Sequence, residues 1–174
     1  MFIELLQRHL AVGSREDALR LVRLDRDFWN IVSIFGTRIP KAVLPGARKV
    51  LYCPFDDIES PRDDGAAVGA GILRQVFQFA DVTKPGALAV HCQMGISRST
   101  AVCFLIIARD LQSNNVPNFI EESTRILLTI RPQANPNLLV LTRGLELLLP
   151  HAAAAAAARK VHQDYRFSRN PAVD

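Results

Sequence analysis

Cys92 and Arg98 stand six residues apart in the stretch His91-Cys92-Gln93-Met94-Gly95-Ile96-Ser97-Arg98-Ser99. That spacing lets one loop bring a sulfur nucleophile and a guanidinium to the same anion. The stretch follows the apolar run 87–90, which opens after the breaker pair Pro85-Gly86, and it precedes a second apolar run, 100–108. The first run has the length of a buried strand and the second that of a helix, so the chemistry-bearing residues occupy a strand-to-helix turn. Such a turn collects backbone N–H groups and the positive end of a helix dipole at one point. A thiol placed there beside a guanidinium is favoured as the thiolate, the form that attacks electrophiles.

The remaining residues of the stretch suit the same task. Arg98 offers a planar fork that grips two oxygens of a phosphate, which a lysine does less well. Gly95 permits a positive φ and a close backbone approach. Ser97 and Ser99 can donate hydroxyl hydrogen bonds to the sulfur, and the one after Arg98 can stabilise a departing thiolate. His91 is expected to shape the loop through an internal hydrogen bond, since a thiolate needs no general base. A buried structural cysteine beside a capping serine is the competing reading; it leaves Gly95, Arg98 and both flanking elements as coincidences.

The extended sequence His-Cys-Gln-Met-Gly-Ile-Ser-Arg-Ser-Thr at 91–100 resembles the signature of the cysteine-dependent protein tyrosine and dual-specificity phosphatases. The resemblance implies Cys92 as nucleophile, Arg98 and the loop Gln93, Met94, Gly95, Ile96 and Ser97 as the phosphate holder, and Ser99 as the partner of the sulfur. Such chemistry also needs a carboxylic acid over the leaving oxygen. Tyr52-Cys53-Pro54-Phe55-Asp56-Asp57 resembles the strand-end Pro-Phe-acid-Asp segment of these phosphatases, in which the second acidic residue is the acid. Asp57 is therefore the first candidate, Asp56 the second and Asp64 the third. Asp63 and Asp64 read otherwise as a solvated turn. A third resemblance is Arg131-Pro132-Gln133-Ala134-Asn135-Pro136-Asn137, similar to the Arg-Pro…Pro-Asn turn of dual-specificity phosphatases, with Asn137 expected to cap a helix. Together the three matches span about 28–149. Low-molecular-weight thiol phosphatases place the cysteine before the acid's late position, the reverse of the order here, and rhodanese-like enzymes use a shorter loop.

The chain of 174 residues suits one domain with a proper core, and 49% of it is hydrophobic, which excludes a disordered polymer. A net charge of +4 is met by a basic rim around an anion site, so no nucleic-acid partner is expected. Cys53, Cys92 and Cys103 show neither metal spacing nor a disulfide framework, so no metal or other cofactor is expected and a reducing, cytoplasmic setting fits. Cys103 reads as core. Cys53, at a strand end, is the one cysteine with a possible redox partnership to Cys92. The first ten residues carry charges inside their apolar stretch, unlike a secretion signal, and no run is long enough to span a membrane.

The elements expected to position the site are helices at 4–10 and 14–24, the second with Leu19, Val22 and Leu24 toward the core, strands at 28–35 and 47–54, a helix at 66–81 with Leu73, Val76, Phe77 and Ala80 on one face, the strand 87–90, and helices at 99–111, 117–130 and 137–149. Strand and helix alternate before a helical end, which predicts an α/β fold: a short, mainly parallel central sheet flanked by helices. Ligands of such sheets lie beyond the carboxyl ends of the strands, where Cys92 and the acidic loop after Cys53 both fall. Residues 1–150 read as a single phosphatase domain. Residues 151–174, with seven consecutive alanines at 152–158 and a basic end, read as a tail or loosely docked helix.

The function expected is hydrolysis of phosphomonoesters through a phosphocysteine, with phosphotyrosine of proteins first and phosphoserine and phosphothreonine after it. The alternatives are an inactive phosphate- or phosphotyrosine-binding module and a phosphatase for a non-protein phosphate such as an inositide. Gln93, Met94 and Ile96 add no positive charge to the loop, which favours phosphoproteins over a polyanionic head group.

Overall fold

The structure, a computed structural model, describes residues 1–60 and 63–167. Five strands form one sheet in the order β1-β2-β5-β3-β4: β1 (Phe2–Ile3), β2 (Arg8–Gly13), β3 (Trp29–Phe35), β4 (Lys49–Pro54) and β5 (Ala87–His91). Only the β1–β2 pair is antiparallel; β2, β5, β3 and β4 run parallel. Among the described residues six α-helices accompany them: α1 (Arg15–Leu24), α2 (Ala70–Val82), α3 (Arg98–Ser113), α4 (Phe119–Ile130), α5 (Leu138–Leu145) and α6 (His151–Phe167). The mainly parallel sheet flanked by helices is the fold expected from the sequence.

Strand side chains divide cleanly between the two faces. Val32, Ile34, Leu88 and Val90 join the large core made by α2 to α6, whereas Trp29, Ile31, Ala87 and Ala89 pack under α1 with Ala18, Val22, Ala42 and Leu44. Helix α3 passes through the centre of the larger core and is buried from Arg98 to Ala108. Gly144 of α5 permits its approach: a Cβ there would lie 2.1 Å from a Leu105 methyl. All four residues read as the inner face of α2, namely Leu73, Val76, Phe77 and Ala80, are buried.

Three expectations are corrected. The expected helix over 4–10 is a single 3-10 turn, Glu4–Leu6, followed by strand β2. The misleading residue is Arg8, which is fully buried, donates to the Ala80 carbonyl at 3.2 Å and Thr83 Oγ1 at 3.3 Å, and lies 3.9 Å from Asp110, itself bonded to Lys84 Nζ at 2.7 Å. An arginine pointing inward breaks the alternation by which a half-buried strand is recognised. Burial draws its guanidinium below the ordinary arginine value, with Asp110 opposing. Leu24, expected to face the core with Val22, is 74% exposed.

The third correction is the C-terminal helix. Ala154, Ala158, Val161 and Tyr165 form a stripe at helical spacing whose members are all fully buried in the main core, and His162 Nδ1 donates to the Pro136 carbonyl at 3.0 Å. On the other side Lys160 meets Glu121 at 2.6 Å. The helix is thus packed on the core, not loosely docked; the expected basic end at Ser168 and Arg169 lies outside the described residues. Tyr165→Ala is expected to lower stability by about 3 kcal/mol, as for other buried aromatic truncations, with a matching fall in the urea midpoint. An unchanged midpoint would show that this helix adds nothing to the core.

Candidate active site

Register brings the site residues together. Ser33 pairs with His91 and Phe35 with Pro54, so the carboxyl ends of β5, β3 and β4 stop side by side, with Cys92 one residue beyond β5 and Phe55 to Asp57 just beyond β4. Helix α3 starts at Arg98 and points its positive end into the turn between.

The turn is held from outside through its carbonyls. The carbonyl of Gln93 accepts from Arg15 N at 3.3 Å, that of Gly95 from Arg131 Nε at 3.1 Å, and that of Ile96 from Asn135 N at 2.8 Å. In a planar trans peptide the following N–H points the opposite way, so the amides of Met94, Ile96 and Ser97 face into the turn. The result is a concave nest of donors. Gly95 has φ +71°, and a Cβ on it would lie 2.2 Å from the carbonyl carbon of Gly13 and 2.3 Å from Ser14 N. Glycine is required here on both counts.

Inside the nest, Cys92 Sγ accepts from Gly95 N at 3.2 Å and lies 3.1 Å from Ser99 Oγ, whose hydroxyl donates when the sulfur is ionised. Arg98 is 5% exposed and donates through Nη1 to the Phe55 carbonyl at 3.0 Å. Its Nε is 3.5 Å from Asp57 Oδ2, within ion-pair reach but outside hydrogen-bond geometry, and this buried N–H has no hydrogen-bond partner among the described residues. A buried guanidinium N–H left unpaired beside a nest of amides is a group prepared for an anion. His91 is buried and its Nδ1–H donates to the Cys92 carbonyl at 3.3 Å. Burial pushes its imidazole below the usual histidine range, which favours the neutral ring.

The acidic candidates separate by position. Asp57 accepts from Ser97 Oγ at 2.7 Å and Asn137 Nδ2 at 3.0 Å and faces Arg98. Asp56 instead clamps the loop: it accepts from Ala66 N, Thr37 N and Thr37 Oγ1 at 2.8 to 2.9 Å. Those bonds, the Ala66 amide first, hold its carboxyl below the usual carboxylate range, a poor state for a proton donor. The Asp64 side chain is 97% exposed and, among the described residues, reaches only Arg38, at 4.0 Å. Asp63 accepts from the amides of Glu59 and Ser60, the turn role expected of it. Ser97 departs from expectation: its hydroxyl serves Asp57, and Ser99 alone of the two serines meets the sulfur.

No protein-family model and no curated protein matches this sequence. Solved structures do. The human tyrosine phosphatase-like serine/threonine/tyrosine-interacting protein superimposes with a TM-score of 0.60 at 17% identity, over 80% of this chain and 90% of that one. DUSP15 gives 0.59 at 19% identity, over 90% of each chain. OH1 of the Orf virus, described as a tyrosine phosphatase, gives 0.56 at 20% identity, over 82% of this chain and 83% of that one. The chain has the dual-specificity phosphatase fold.

Within that fold the structure adds contacts that sequence reasoning did not single out. The N-terminus of α1 docks on the loop through Arg15 N, and its capping box, Ser14 with Asp17, was legible only as a helix start. Arg131 joins the loop to α1, with Nη1 3.7 Å from Asp17. Asn137 caps α5 through Val140 N, as expected, and also donates to Asp57 and to the Ile58 carbonyl. Nothing local in the sequence marks those long-range contacts.

Of the three cysteines, Cys53 and Cys103 are buried, and burial pushes both thiols up to about 12. Strand β3 lies between Cys53 and the line of β5, so two strand spacings, about 9–10 Å, separate Cys53 from Cys92. A disulfide spans at most ~7 Å between Cα atoms, so that pairing requires backbone movement. Iodoacetamide at neutral pH is expected to modify Cys92 before either other cysteine in the folded protein. Peptide mapping that found Cys53 or Cys103 modified at a comparable rate would contradict this assignment.

Proposed function

We propose that this chain is a cysteine-dependent phosphatase that hydrolyses phosphomonoesters of proteins, phosphotyrosine first, through a phosphocysteine on Cys92. The observation that carries the proposal is the buried Nε of Arg98, without a hydrogen-bond partner among the described residues, set beside a sulfur that accepts the Gly95 N–H and lies 3.1 Å from the Ser99 hydroxyl. The dual-specificity phosphatase fold supports the same reading.

In the first step Cys92 Sγ attacks phosphorus, an S–P bond forms and the ester P–O bond breaks. The Asp57 carboxyl gives its proton to the leaving oxygen. In the second, a water whose proton passes to the Asp57 carboxylate attacks the same phosphorus, and the thiolate departs, stabilised by the Ser99 hydroxyl and the Gly95 N–H. Arg98 and the amides of Met94, Ile96 and Ser97 hold the equatorial oxygens in both steps. Binding of phosphate releases Arg98 from its contact with Asp57 and frees the carboxyl for the leaving group. Residues 1–150 carry every group used, and no step calls on a metal.

Phosphoproteins are preferred over inositides because Gln93, Met94 and Ile96 give the loop no charge of its own. A second reading, a phosphate-binding module without turnover, draws on the first structural relative, whose name describes it as phosphatase-like and interacting.

Hydrolysis of a small aryl phosphate in chelator distinguishes the two. Wild type is expected to turn over, Cys92→Ser to be inactive, Asp57→Ala to fall by ~10²–10⁴ and Arg98→Ala to lose phosphate binding as well as rate. An inert wild type that still bound vanadate through Arg98 would replace the enzyme by the binding module.

A further inference from the structure

A cleft of about 590 Å³ opens directly beside the phosphate loop, lined by Arg15, Glu16 and Leu19 of α1, Gln93 and Met94 of the loop, and Arg131. A second hollow of about 410 Å³ continues along α1 and shares Glu16 and Leu19 with the first, adding Arg20, Arg23 and Leu24. The two make one trough. Its walls carry exposed apolar side chains: Met94 is 66% exposed and Leu24 74%. Arg15 spends one N–H on the Pro40 carbonyl at 3.2 Å and keeps other donors of its fork, and Arg20 and Arg23 make no ion pair among the described residues.

We propose that this trough binds the polypeptide on either side of the phosphorylated residue, an acidic side chain meeting Arg15 and apolar ones lying against Met94, Leu19 and Leu24. The substrate class is thus a phosphopeptide segment with acidic and apolar flanks. The inference rests on the phosphatase reading and narrows it.

Three observations favour a peptide. Helix α1 from Arg15 to Leu24 extends about 14 Å, the length of about four extended residues. Of the four arginines in the walls, Arg131 is engaged with Asp17, which leaves Arg15, Arg20 and Arg23 against Glu16 and gives the trough the sign that an acidic segment complements; Asp17 itself accepts from Ser14 N and lies 3.7 Å from Arg131. The hollow is concave and has Glu16 in its wall, a shape and a charge that suit a side chain better than a planar layer of anionic head groups.

The test compares two phosphotyrosine peptides, one flanked by glutamate and leucine and one by glutamine and serine, on wild type, Arg15→Ala and Leu19→Glu. Wild type is expected to favour the acidic–apolar peptide in kcat/KM by roughly 5-fold for each acidic contact, and Arg15→Ala to remove most of that ratio. Leu19→Glu should remove or invert it. An equal ratio on wild type overturns the proposal, and so does a preference that survives both substitutions. If wild type hydrolyses neither these peptides nor an aryl phosphate, the phosphatase reading fails by itself, and the trough is then read from calorimetric binding of the two peptides to Cys92→Ser, with the same ratio expected. Vesicles containing a phosphoinositide form a further arm: vesicle binding lost in Arg15→Ala and Leu19→Glu without any peptide preference would overturn the peptide as occupant.

Discussion

The architecture depends on one close approach, that of Gly95 to the backbone of Gly13 and Ser14. There is no room for a Cβ between them, so the anion loop lies directly on the end of β2 and the start of α1. From that contact follow the outward-turned carbonyls, the inward-turned amides and the position of Cys92 beneath them. The capping box of Ser14 and Asp17 has a double use: it starts α1, and it fixes the surface on which the loop rests. Arg131 ties the same surface to the turn before α5, so three segments distant in sequence determine the shape of one loop.

Asp57 is placed by a comparable division of labour. Its neighbour Asp56 anchors the segment after β4 to Thr37 and Ala66, which leaves Asp57 free to turn toward Arg98. Asn137 then holds Asp57 with one end of its amide while capping α5 with the other. Helix packing in the larger core is thereby transmitted to the position of a single carboxyl group. Two adjacent acids of the same type acquire different roles because one is saturated with backbone donors and the other faces a cation and the open loop.

What the sequence made legible was whatever is contiguous. The strand, the turn and the helix around Cys92 follow one another without interruption, so residue order alone describes the loop and the central parallel sheet. Asp57 was approachable through the short segment ending β4, but the different surroundings of Asp56, Asp57 and Asp64 arise from tertiary contacts. Strand β2 was missed because its most polar residue, Arg8, is fully buried, supported by the Ala80 carbonyl, the Thr83 hydroxyl and Asp110. Helix α6 was undervalued for the opposite reason. In a run of alanines the buried Ala154 and Ala158 look like their exposed neighbours, and the stripe becomes apparent only where it ends in Val161 and Tyr165. The contributions of Arg15 and Arg131 depend wholly on tertiary placement, and no local pattern announces them.

The central claim is that phosphorus passes through the sulfur of Cys92. Rapid quenching of Asp57→Asn with an aryl phosphate of good leaving group, followed by mass analysis, tests it most directly, because that substitution slows release by water more than attack by the thiolate on such a substrate. The account predicts one phosphoryl group on Cys92 that decays as product forms, and none in Cys92→Ser. Turnover without a phosphoryl group on Cys92, or a phosphoryl group on another residue, would contradict it.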